Sequence, residues 1–118
     1  MPPSPRRHAI AQAKLDRFHT DVVAEVAAAV EAHPIVVVGM AWNPNCPRGV
    51  RALEGAGHKV HYLEYGSYAS AWKPRLAIKM WSGWPTYPQV FVKGQLVGGA
   101  DQAEEIVKSG ELARLMAE

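Results

Sequence analysis

The chain has 118 residues, enough for one ordinary domain and too few for two. Hydrophobic residues make up 48% and charged residues 20%, a globular balance that excludes a disordered chain. A net charge of +2 makes no case for nucleic-acid binding, and purely apolar runs such as residues 35–38 are too short to cross a bilayer.

Residues 1–19 open with prolines and a mixed polar stretch, and read as a tail with a loosely attached helix. No charged start leads into an apolar h-region, so no secretory leader is expected. The single cysteine, Cys46, excludes an internal disulfide and an intramolecular dithiol mechanism, and makes a reducing cytoplasm the expected setting. Thr20 and Asp21 offer a helix N-cap, and Val22, Val23, Val26 and Val30 follow at helical spacing until Pro34. The β-branched run 35–38 predicts a buried strand. Asn43 then suits an N-cap, with Pro44 and Pro47 in a first turn whose N–H groups need no partner. Val50 and Leu53 mark the buried face of that helix, and Gly55 and Gly57 end it.

Alternation through residues 60–65 predicts a second strand. Pro74 starts a helix to about Trp81, with Arg75 and Lys79 one turn apart on a shared face. A rigid loop, Gly83-Trp84-Pro85-Thr86-Tyr87-Pro88, precedes a hairpin of residues 89–93 and 95–97 that turns at Lys93-Gly94. After Gly98-Gly99, Asp101 and Glu104 have capping-box spacing for a last helix, which Gly110 interrupts. A parallel strand pair joined through a helix, followed by an antiparallel hairpin, predicts an α/β fold: a four-stranded mixed sheet with helices on both faces.

Trp84-Pro85-Thr86-Tyr87-Pro88-Gln89 resembles the Trp-Pro-Thr-x-Pro-Gln segment of monothiol glutaredoxins. Gly98-Gly99-Ala100-Asp101 resembles their Gly-Gly-x-Asp turn, and Arg75, Lys79, Ser82 and Ser109-Gly110-Glu111-Leu112 also match the family pattern. The resemblance covers residues 20–118 and implies a thioredoxin fold. It also implies a glutathione groove made by Arg75, Lys79, Thr86, Tyr87, Pro88, Gly99, Ala100 and Asp101. In it Pro88 is cis, the Tyr87 backbone pairs with the cysteinyl part of glutathione, Lys79 meets the glycyl carboxylate, and Asp101 receives the γ-glutamyl ammonium. The bland reading of Arg75 and Lys79 is a solvated basic face, and that of Asp101 is a helix cap.

Two positions depart from the family. Its redox motif falls on Asn43-Pro44-Asn45-Cys46, so Asn43 stands where the nucleophilic cysteine and iron–sulfur ligand belongs. Met40 stands where a glutathione-binding lysine is expected. Cys46 is then either a catalytic thiol, activated by the helix N-terminus and Arg48 or Arg51 for glutathione-dependent monothiol exchange, or a small core residue. The partner is glutathione or a glutathionylated protein, held with or without turnover by a monomer or weak homodimer; no nucleic acid or membrane partner is expected. A [2Fe–2S] cluster bridging two copies is disfavoured because Asn43 removes the thiolate. The five histidines show no metal-ligand spacing, and no metal site is expected. Trp72, Trp81 and Trp84 are expected beside the groove or in the core.

Overall fold

The computed structural model describes residues 3–118. Six helices and four strands follow one another as α1 (Ala9–Asp16), α2 (Thr20–Ala32), β1 (Ile35–Gly39), α3 (Asn45–Gly55), β2 (His61–Glu64), α4 (Trp72–Ser82), β3 (Gln89–Val92), β4 (Gln95–Gly98), α5 (Ala100–Ser109) and α6 (Glu111–Met116). The sheet order is β2-β1-β3-β4. β1 and β2 are parallel across the α3 crossover, while β3 runs antiparallel to both β1 and β4. Lys93 and Gly94 both have positive φ, 52° and 81°, as a tight two-residue hairpin turn requires.

β1 is buried along its whole length because both faces of the sheet are covered. The pleat sends Val36 and Val38 to one side, where they meet Val26 and Ala29 of α2, Ile78 of α4 and Phe91. Ile35 and Val37 point to the other side and pack with Leu53 of α3, Ala103 of α5, and Leu112 and Leu115 of α6. The period of two that makes β1 a strand thus builds two cores from one run of four residues.

Several local expectations need correction. Thr20 lies inside α2 rather than capping it: the preceding residue, His19, turns left-handed with φ 47° and no side chain caps the end. α1 buries no side chain. α5 begins at Ala100, and Gln102 supplies the cap by accepting from the Gly99 N–H at 2.9 Å through Oε1; Asp101 and Glu104 are drawn elsewhere. Trp72 is not packed in the core but 61% exposed. His33 and His61 stack at a ring separation of 3.9 Å, a contact across β1 and β2 that their sequence distance conceals. Among the described residues no helix is long and apolar enough to cross a membrane.

Candidate functional site: a cleft beside a cis-proline

The Tyr87–Pro88 peptide bond is cis. It stands at the start of β3, facing the N-terminal ends of α3 and α5, and three separate segments converge there. Thr86, Tyr87 and Pro88 come from the loop before β3; Gly99, Ala100 and Asp101 from the β4–α5 junction; Asn45 and Arg48 from α3. The cleft they line has a volume of about 250 Å³. α3 lies close to both other segments at Gly49. A Cβ there would stand 3.4 Å from Pro88 Cγ and 3.6 Å from Ala100 Cα, the limit of ordinary contact.

Of the residues expected at the groove, six are brought together: Thr86, Tyr87, Pro88, Gly99, Ala100 and Asp101. Lys79 stands next to them, its Nζ 5.6 Å from the centre of the Tyr87 ring. Arg75 does not join them, and the shared basic face with Lys79 is corrected here. Its side chain is 7% exposed, and Nη1 donates to the carbonyls of Tyr65 and Ser70. A guanidinium in that position holds the 65–70 loop through Nη1 and lies outside the lining of the cleft. The Tyr87 phenol reinforces the arrangement by donating to the Arg75 carbonyl at 2.6 Å.

Cys46 is fully buried, packed in the α2–α4 core with Met40 and Ile78 rather than in the cleft. Burial pushes its thiol above the ordinary value of 9.0, outweighing the hydrogen bonds to the Met40 backbone and to Tyr62 that pull it down. A helix N-terminus activates a thiol only when the thiolate can reach water or a partner, so desolvation wins here. Met40, at the expected lysine position, is likewise a core side chain, 6% exposed.

Asn43 sits at the head of α3. Its Oδ1 accepts from the Asn45 N–H at 2.9 Å, a local turn contact two residues ahead; the N-cap expected at position 43 falls instead on Pro44, which offers no side-chain cap, because regular helix starts only at Asn45. Its Nδ2 also donates to the Tyr87 carbonyl at 3.4 Å, joining the first motif position to the cis-proline loop. The donor set does not fit a thiolate-held iron–sulfur cluster: a carboxamide occupies the outer position, and the chain's one cysteine sulfur is inside the core.

Three lining residues, Arg48, Asn45 and Gln102, escaped the sequence reading of the groove, whereas Trp84 lines it as expected. Arg48 reaches across to α5, with Nη2 2.7 Å from Asp101 Oδ1 and Nη1 2.5 Å from Glu104 Oε1. This is why neither acid caps α5. Asn45 supports Arg48 at 3.3 Å. The Trp84 indole N–H is buried without a partner among the described residues, and Gln102 caps α5 from the cleft wall. The spacing Arg48-x-x-Arg51 on a helix whose N-terminus faces an acidic turn was the available signal for the ion pair.

An α/β sheet with a cis-proline loop against the N-termini of two helices defines a protein of the thioredoxin fold. No family model matches the chain. A glutaredoxin-like protein of Dictyostelium discoideum is 46% identical over 98 residues, covering 83% of this chain and 80% of that protein. Glutaredoxin-C1 of Arabidopsis thaliana is 33% identical over 89 residues, covering 75% and 71%. The crystal structure of a buckwheat glutaredoxin–glutathione complex superposes with a TM-score of 0.69 at 21% identity, over 83% of this chain and 89% of that one, and shares the fold. The chain belongs to the glutaredoxin family.

Proposed function

We propose that this chain is a glutathione-binding glutaredoxin-like protein that holds its ligand without exchanging disulfides. One observation carries the reading: the cleft residues are assembled beside Pro88 while the only thiol, Cys46, is sealed in the core and Asn43, at the head of α3, bonds the Tyr87 carbonyl. The buckwheat glutaredoxin solved with glutathione supports the choice of ligand.

Each part of the tripeptide has a chemical match. α5 begins with N–H groups at Ala100, Asp101 and Gln102, before the first intrahelical bond, which Ala103 makes to Gly99. Such an end attracts a carboxylate through free donors and the helix dipole. Asp101 offers a carboxylate to the γ-glutamyl ammonium, and Arg48 holds it in place. The Tyr87 carbonyl spends one lone pair on Asn43 and keeps the other for the ligand's cysteinyl N–H. Lys79 stands beside the Tyr87 ring for the glycyl carboxylate. The ligand's sulfur meets the Asn43 carboxamide, which can hydrogen-bond a thiol but cannot attack a disulfide.

Monothiol exchange through Cys46 would need its sulfur to leave the core, against the packing that now covers it. Titration calorimetry with reduced glutathione, paired with a deglutathionylation assay on wild type and Cys46→Ser, tests the reading. Binding heat with no rate difference between the two proteins is expected; a rate that falls in Cys46→Ser contradicts it.

A further inference from the structure

A second, larger hollow lies on the other flank of α3, about 700 Å³ in volume. The period of two on β2 turns Tyr62 and Glu64 toward it, in register with Val37 and Gly39 on the α3 side of the sheet. Trp42 stands at its rim, 73% exposed and held left-handed at φ 67°, a conformation that bulky residues rarely adopt. Pro44 completes an aromatic and prolyl surface between helix and strand. Its charged lining is Glu54 and Glu64 against Arg51, a net charge of one negative. The Tyr62 hydroxyl donates to Glu64 Oε1 at 3.2 Å, fixing that carboxylate at the edge.

This is the wall chemistry that extended proline segments fit: flat rings for the pyrrolidines and carboxylates for a following cation. The chain carries such a segment. Pro3-Ser4-Pro5-Arg6-Arg7 is irregular and exposed along its whole length, and it leads into α1, which buries no side chain. Its prolines favour the extended left-handed helix before any partner is met, so little ordering entropy is lost on docking. Five residues in that form span roughly 15 Å.

We propose that this hollow is a docking site for residues 3–7 of a second copy of the chain, with the prolines against Trp42 and Tyr62 and the two arginines paired with Glu54 and Glu64. The contact is heterologous, since the tail of one copy enters the hollow of the next. Arginine suits the role because its planar fork engages a carboxylate bidentately and also stacks on a tryptophan face. The proposal does not rest on glutathione binding, although Asn43 borders this hollow and also bonds the Tyr87 carbonyl of the cleft.

Sedimentation velocity of the full chain, from about 10 µM to 1 mM, is the test. Association that grows with concentration is expected. The variants Arg6→Glu/Arg7→Glu and Glu54→Lys/Glu64→Lys should each associate roughly tenfold more weakly, and mixing the two should restore hetero-association by charge reversal. A synthetic peptide of residues 3–8, titrated into nitrogen-15-labelled chain, should shift the Trp42 indole resonance and the amides of Tyr62 and Glu64. A chain that sediments as a monomer throughout would overturn the proposal. So would peptide shifts confined to the surroundings of Pro88, or occupation of the hollow that does not depend on concentration.

Discussion

At the scale of single residues, burial decides the chemistry of Cys46. The folded chain should resist thiol reagents at neutral pH and react stoichiometrically once unfolded in guanidinium, as rates of labelling will show. The sign of the pH effect follows from the raised thiol value. A group held neutral in the fold contributes its stability fully below its unfolded value of 9.0 and loses that contribution as pH rises through the higher folded one. Tyr62, Tyr65 and Tyr87, all raised first by desolvation, act in the same direction at higher pH. Denaturant midpoints should therefore fall on the alkaline side, and Cys46→Ala should flatten the first part of that decline while costing about 1–2 kcal/mol at neutral pH. Arg75→Ala should cost about 1–3 kcal/mol in the same measurement, because it leaves two inward-facing carbonyls short of a donor. Glutathione affinity should hardly change in Arg75→Ala, which separates a structural arginine from a ligand-binding one. Asn43→Cys makes the opposite kind of prediction: it places a thiol at the exposed head of α3, and a deglutathionylation assay should register exchange that wild type lacks.

At the scale of elements, the N-termini of α3 and α5 make the cleft, and each is tied down by a side chain that sequence spacing assigns differently. Gln102, not Asp101, caps α5, so Gln102→Ala should lower stability by about 1 kcal/mol in chemical denaturation and weaken glutathione binding by loosening the helix end. The strands were legible because their signals are local: a run of four β-branched residues, a period of two, and Lys93-Gly94 at a hairpin turn. The cleft's prolyl and glycyl parts were legible because Trp84-Pro85-Thr86-Tyr87-Pro88 and Gly98-Gly99-Ala100-Asp101 are continuous motifs. Arg48 was not, since its partners are 53 and 56 residues away and only the packing of α3 on α5 brings them together. Arg75 misled for a related reason. Helical spacing puts it one turn from Lys79, but that spacing cannot say that the 65–70 loop folds back over its guanidinium. The His19 turn was equally hidden, because a left-handed histidine leaves no pattern that distinguishes it from a helix residue.

At the scale of the whole molecule, the family fold is present with an asparagine, Asn43, at the head of α3 and the single thiol, Cys46, in the core. The sheet, the cis-proline loop and the α5 end still converge, and their geometry does not depend on a thiol at position 43. The asparagine there serves the fold directly, holding the Asn45 N–H at the entry to α3 with one atom and bracing the Tyr87 carbonyl with another. The cleft and the aromatic hollow share no lining residue, so the two bear separate tests.

The central claim is that the cleft binds glutathione and the chain does not turn it over. Titration calorimetry with reduced glutathione, at concentrations up to roughly 10 mM, measures it most directly when run beside a deglutathionylation assay on the same sample. Saturable heat is expected in wild type and in Cys46→Ser alike, with a loss of that heat in Asp101→Ala and no exchange above the uncatalysed rate in any of the three. An absence of heat in wild type, or exchange that disappears with Cys46, would contradict it.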